Sequence, residues 1–170
     1  MDRMKKVHAH FENEAAEFDQ TILKLIPDYH KMCEILVDFI PYDRMDSFSI
    51  IDLGCGTGTL AKVVQGQFPN AQITCVDNSQ NMLDLAKHKL NEQGRFIQSD
   101  FNDWTFDQSY DLMIRSLALH HLDSDEDKLA FYRKAFRALT ARGLLINDDV
   151  MTGVTHIFKK NFWLTGKHLC

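Results

Sequence analysis

Ile50-Ile51-Asp52-Leu53-Gly54-Cys55-Gly56-Thr57-Gly58-Thr59-Leu60 is the stretch on which the reading of this chain turns. Ser49 to Gly54 reads as a first strand. Past the glycines, Leu60, Val64 and Phe68 recur at i, i+4 and i+8, the spacing of one helix face. The glycines therefore stand between a strand and a helix that begins near Thr59. Glycine at every second position lets the backbone turn sharply and approach a ligand without Cβ contacts. The helix behind the loop directs its free N–H groups, worth about half a positive charge, into it. A carboxylate or a phosphate suits such a place. The spacing is G-x-G-x-G led by an acid, not the G-x-G-x-x-G of nicotinamide binders, because the sixth position is Thr59.

Working outward, strand and helix alternate, which predicts a doubly wound, mostly parallel α/β sheet. Pro69-Asn70 breaks the chain before a second strand, Ala71 to Asp77. Ser79 is placed to cap a helix running to about Asn91, with Met82, Leu83, Ala86 and Leu90 on its sheet side. Arg95 to Ser99 and Tyr110 to Arg115 read as the third and fourth strands. Ser124-x-x-Asp127 has the form of a capping box. The helix it opens carries Leu129, Tyr132, Phe136 and Leu139 in a stripe, ends at Arg142-Gly143, and precedes a fifth strand, Leu144 to Val150. Ahead of the sheet, Ala15, Phe18, Ile22 and Leu25 form one helical stripe and Tyr29, Met32, Leu36 and Ile40 another, divided at Pro27. These helices either cover the sheet or lie across the site as a lid. Residues 1–42 are thus a helical lead-in, 48–150 an α/β core and 151–170 a tail within one domain.

The 170 residues suffice for one self-supporting core. Apolar residues make up 45% and charged residues 25%, the balance of an ordinary globular chain. The opening MDRMKKVHAH has no apolar leader segment, and no window reaches the length of a membrane span. The four cysteines, Cys33, Cys55, Cys75 and Cys170, form no C-x-x-C pair, which suits reduced thiols in a cytoplasmic protein. No His or Cys set has metal spacing, so no metal is expected. A net charge of −5 without a long basic run argues against a large polyanionic partner.

Asp77 ends the second strand, where an acid can accept both hydroxyls of an unphosphorylated ribose; the alternative is a cap for the helix at Ser79. Asp52-Leu-Gly-Cys-Gly-Thr-Gly58, Val76-Asp77-Asn78-Ser79-x-x-Met82-Leu83, Ser99-Asp100-Phe101 and Tyr110-Asp111-Leu112 leading to Ser116-Leu-Ala-Leu-His-His-Leu122 occur in that order. Together they resemble the class I S-adenosylmethionine-dependent methyltransferase superfamily over about Ile50 to Val150. The resemblance implies S-adenosylmethionine as cofactor and S-adenosylhomocysteine as product. It implies that Gly54, Gly56 and Gly58 pass near the methionine portion and that Asp77, with Asn78 beside it, holds the ribose. Asp100 would accept from the adenine amino group beside Phe101, and Ser116 would lie at the site edge. Asp52 either contacts the cofactor or only ties the loop together, and Asp100 either meets adenine or caps a turn. Phe18-Asp-x-x-Ile-x-x-x-Ile26-Pro-x-Tyr29 is also similar to the lead-in of small-molecule and wobble-uridine tRNA members, so nucleic acid stands as a second acceptor class beside a small molecule.

His120 and His121 follow the fourth strand on the ligand edge, where one of them could take a proton from an acceptor; the alternative is a packing pair. Arg115 would meet a carboxylate or a surface acid, and Asp148-Asp149 would face the substrate. A sulfonium is already an activated methyl donor, so no nucleophile–base–acid triad is required. The family's sheet ends in an antiparallel pair of strands, and Met151 to Cys170 is short for a helix and two strands. The expectation is that these last two strands are lacking and that Val154, Ile157, Phe158 and Phe162 mark a helix. The fifth strand would then be an open edge inviting a homodimer. The alternative to an active methyltransferase is a methyltransferase-like module that binds the cofactor or a partner without turnover.

Overall fold

The structure is a computed structural model that describes residues 17–100, 105–117, 124–152 and 158–166. Side chains are described as far as Asp148. Six strands form one sheet: β1 (Ser49–Leu53), β2 (Gln72–Asp77), β3 (Arg95–Gln98), β4 (Tyr110–Ser116), β5 (Leu139–Thr152) and β6 (Phe158–Gly166), in the order β3-β2-β1-β4-β5-β6. The first five are parallel. Strand order reverses between β1 and β4, so a crevice opens there at the carboxyl ends of the strands. Residues 17–25 are helical and are termed α1. They are followed by α2 (Tyr29–Asp38), α3 (Thr59–Gln67), α4 (Gln80–Lys89) and α5 (Asp125–Ala138).

Strand side chains alternate between the two faces, and each face has its own core. Ile50, Ile73, Cys75, Leu112, Ile114 and Ile146 pack against α2, α3 and α4 through Leu36, Leu60, Val64 and Leu83. Ile51, Leu53, Val76, Met113 and Leu145 pack against Phe131, Ala135 and Ala138 of α5. The two caps read from the sequence are in place. Ser79 Oγ accepts from the Met82 N–H at 3.2 Å, and Ser124 Oγ accepts from the Asp127 N–H at 3.0 Å.

Three expectations are corrected. The buried face of α5 is Phe131, Ala135 and Ala138, while Leu129 is half exposed. Phe131 is drawn to the sheet by the guanidinium of Arg115, which lies 4.6 Å from its ring centroid. The helix also ends at Ala138 rather than Arg142-Gly143, and Leu139 already pairs with Tyr110. The register then slips between Leu139 and Leu144. Gly143 serves that irregularity: a Cβ there would lie 2.9 Å from Leu139 Cβ, Thr140 N and Tyr110 O.

The third correction concerns the tail. Phe158–Gly166 is a strand, not a helix, and pairs antiparallel with β5 from Leu144↔Gly166 to Thr152↔Phe158. At least one strand of the family's antiparallel pair is therefore present, β5 is interior, and the open edge that motivated a homodimer is closed. The cause is the backbone of β5, whose N–H and C=O groups need partners that a helix cannot supply. Phe162, Trp163 and Thr165 are residue types that favour strands.

Deleting residues 153–170 is therefore expected to speed amide exchange along Leu144–Asp148 and to make the protein self-associate, read by hydrogen-exchange mass spectrometry and light scattering. A truncated monomer with unchanged exchange would show that β6 does not complete the sheet.

Candidate cofactor site

The site is built where β1, β2 and β4 end, beside Asp148 of β5. β1 reaches Gly54 and turns through Gly54, Gly56 and Gly58, whose φ values of 76°, 53° and 77° all lie in the left-handed region. The turn is fixed from β2: Gly54 N–H and Cys55 N–H both donate to the Val76 carbonyl, at 2.8 and 3.1 Å. Asp77 completes it. Its Oδ2 accepts from Gly56 N–H at 2.8 Å and its Oδ1 from Ser79 N–H at 2.9 Å, and the residue is 9% exposed. The sequence alternatives for Asp77, ribose or cap, do not exclude each other, since a carboxylate oxygen can accept more than one hydrogen bond.

The three glycines do different work. Among the described residues, a Cβ on Gly56 would meet only Phe18 Cε1, at an ordinary contact distance of 3.8 Å, so this glycine is not crowded in the way that Gly58 is. A Cβ on Gly58 would lie 2.8 Å from Ala86 Cβ and 3.0 Å from Leu90 Cδ1. Gly58 is thus required for α3 to approach α4. It is also the N-cap of α3 and offers no side chain to the helix end, which leaves first-turn N–H groups directed at the loop.

On the α2–α3 face of the sheet, β1, β2, β4 and β5 present Asp52, Asp77, Ser116 and Asp148. Asp52 lies one row deeper, opposite Cys75 and Ile114. It is 2% exposed, and its Oδ2 has no hydrogen-bond partner among the described residues. Burial, and then the charge of Asp77, push its carboxyl up to about 7. Ser116 Oγ is likewise buried without a partner among the described residues. Above the row, α2 contributes Tyr29 and Cys33. Burial pushes the Cys33 thiol up to about 12, with a smaller push from the charge of Asp52; Tyr29 is raised by burial, then by Cys33 and Asp52. This roof is therefore neutral at ordinary pH.

Of the other sequence candidates, Asp100 is described and half-buried just beyond β3. Asn78 follows Asp77, and its carbonyl accepts from Gln98 Nε2 at 3.2 Å. Phe101, His120 and His121 lie outside the described residues, as does the side chain of Asp149. Arg115 is not a surface residue: it is fully buried on the opposite face of the sheet, against Phe131. Sequence reasoning missed Tyr29 and Cys33 as site neighbours and missed a cluster of Asp19, Thr57, Thr59 and Lys89 beside the loop. Nothing in their spacing signals it, because the four residues meet only in three dimensions.

The donor set fits S-adenosylmethionine. The loop has an uncrowded backbone at Gly56 and uncapped helix N–H groups for a carboxylate, and the buried acids Asp52, Asp77 and Asp148 lie along its other side. The residues that match the family model for a methyltransferase domain are 50–143, more than half of the chain. The chain belongs to the class I S-adenosylmethionine-dependent methyltransferase family. It is 32% identical over 111 residues to the malonyl-[acyl-carrier protein] O-methyltransferase of Acetivibrio thermocellus, covering 65% of this chain and 38% of that protein. It is 35% identical over 97 residues to the trans-aconitate 2-methyltransferase of Variovorax paradoxus, covering 56% and 36%. This methyltransferase-family chain thus spans about two fifths of the length of these relatives. Among solved structures the DhpI–SAM–HEP complex shares the fold, with a TM-score of 0.71 at 22% identity over 91% of this chain and 70% of that one.

Two outcomes follow. Folding raises the affinity of Asp52 for its proton, so the stability it contributes is full below about pH 4 and is lost as pH rises through about 7. Relative to Asp52→Asn, the wild-type chain should lose roughly 2–3 kcal/mol of unfolding free energy between pH 5 and pH 8. Urea titrations at the two pH values measure this, and parallel curves would refute it. Gly58→Ala should cost about 2–4 kcal/mol through left-handed strain and the clash with Ala86, seen as a lowered urea midpoint.

Proposed function

We propose that this chain binds S-adenosylmethionine between the glycine loop and the carboxyl end of β2 and transfers its methyl group to a small molecule. The observation that carries this reading is Asp77. Its carboxylate holds Gly56 N–H at 2.8 Å and so joins the β2 acid and the glycine loop in one site. On this reading Gly54 and Gly56 pass along the methionine portion, Gly58 shapes the turn, and Asp77 and Asn78 take the ribose. Asp100 and Phe101 take the adenine, Ser116 lines the edge, and Asp52 supports the loop from beneath. Bound there, the cofactor supplies an activated methyl on a sulfonium. The chain's own task is to position an acceptor in line with that methyl, exclude water and relieve the acceptor of a proton where it has one. His120 or His121 is the proposed proton acceptor.

A small-molecule acceptor is supported by the relatives named for malonyl-[acyl-carrier protein] and trans-aconitate. Nucleic acid is the second class. No helix among the described residues is long and apolar enough to cross a membrane. No metal-binding group of His, Cys, Asp or Glu is found among them. The described cysteines Cys33, Cys55 and Cys75 are free, which supports a reducing, cytoplasmic setting. A module that binds cofactor without turnover differs from an enzyme in one respect: it shows affinity without methylated product.

Calorimetric titration should therefore give micromolar binding of S-adenosylhomocysteine and none of NAD. Asp77→Asn should weaken the former by about 10- to 100-fold, the scale of hydrogen bonds to a charged group. Tight NAD binding with no response to S-adenosylhomocysteine would refute the assignment.

A further inference from the structure

Four polar residues from three separate stretches of the chain meet at the side of the glycine loop. Lys89, the last residue of α4, directs Nζ to Asp19 Oδ2 of α1 at 2.8 Å, to Thr57 Oγ1 of the loop at 3.0 Å and to Thr59 Oγ1 of α3 at 2.9 Å. These three bonds use all three donors of an ammonium group. Thr57 Oγ1 in turn donates to Asp19 Oδ1 in a short bond. Burial works against the charge of Asp19, but the bonds from Lys89 and Thr57 and the charge of Lys89 outweigh it and hold the carboxyl below its ordinary range. Among the described residues these four bond one another, and Asp19 is the member from ahead of the sheet.

The residue beside Asp19 shows what the network positions. Phe18 Cε1 lies 3.8 Å from where a Cβ on Gly56 would stand, an ordinary contact distance from the loop. Fixing Asp19 to the loop therefore fixes an aromatic edge over the space assigned above to the methionine portion of the cofactor. The strength of the tie is moderate. The Lys89 and Asp19 side chains are 27% and 50% exposed, and a solvated pair of this kind is weak enough to break and re-form.

We propose that Asp19 and Lys89 are positioning residues that latch α1 onto the glycine loop, so that Phe18 closes the cofactor site and the opening of this latch sets how fast the cofactor leaves. The inference rests on the cofactor reading above. It differs from a purely structural ion pair in two ways: it ties ligand release to one helix, and it makes that release sensitive to salt, which screens a half-exposed pair.

The test uses the full chain with Asp19→Asn, Lys89→Met and the double variant. Each single variant should release S-adenosylhomocysteine roughly tenfold faster, the scale of one lost charge-assisted hydrogen bond. The double variant should be no faster than either single one, because both act through the same contact. Wild-type release should accelerate with added salt, and the variants should respond less. Hydrogen exchange across 17–25, with and without ligand, should rise in each variant while exchange along β1 and β4 stays at the wild-type level. Unchanged release rates, additive effects in the double variant, or faster exchange spread over the whole sheet would each overturn the latch. Failure of the wild-type chain to bind S-adenosylhomocysteine would overturn the cofactor reading and the ligand-release role with it. Faster exchange confined to 17–25 would then leave Asp19 and Lys89 as a structural tie alone.

Discussion

The site depends on the carboxylate of Asp77 accepting two backbone N–H groups, one from Gly56 and one from Ser79. Gly56 belongs to the turn between β1 and α3, and Ser79 caps α4. One side chain at the end of β2 therefore sets the glycine loop and the following helix against each other. It is 9% exposed, so each bond to its charge acts in a poorly solvated place and is stronger than it would be in open water. The neighbouring groups inherit this arrangement. Gly58 can bring α3 against Ala86 and Leu90 only if the loop lies where Asp77 holds it. Asp52, one row deeper, is held toward its protonated form by burial first and by the charge of Asp77 second.

Much of this was legible in the sequence, for identifiable reasons. The β1–loop–α3 unit shows itself because strand, glycines and helical stripe are consecutive, so local spacing contains the whole of it. The caps at Ser79 and Ser124 were legible for the same reason. Where the reading failed, the deciding contact was not local. The stripe Leu129, Tyr132, Phe136 and Leu139 has helical spacing, but Arg115 on β4 meets Phe131, and the buried side of α5 centres on Phe131, Ala135 and Ala138, with Tyr132 at its margin and Leu129 half exposed. Arg142-Gly143 looks like a helix terminus, yet Gly143 answers to crowding by Leu139 and Tyr110 within the sheet. The β6 strand was hidden because its apolar residues fit either period, and only the unpaired edge of β5 decides between them. The latch at Lys89 leaves no trace in the sequence, since its partners are 30 to 70 residues away.

The charge distribution around the loop bears on the kind of ligand it suits. On the α3 side the helix offers N–H groups with no side-chain cap and no acid in its first turn, a setting that favours an anionic group. On the sheet side stand Asp52, Asp77 and Asp148 on one face, while Arg115, the one buried basic residue among the described ones, lies on the other. A ligand with one sign of charge would satisfy one side and be repelled by the other. A nucleoside that carries an amino acid has a carboxylate for the helix end and cationic groups and hydroxyls for the acids, so it is complementary to both. The latch then has a physical purpose within the proposed reading. Closing Phe18 over Gly56 removes water from between these opposed charges, and in the lower dielectric both sides bind their part of the ligand more strongly.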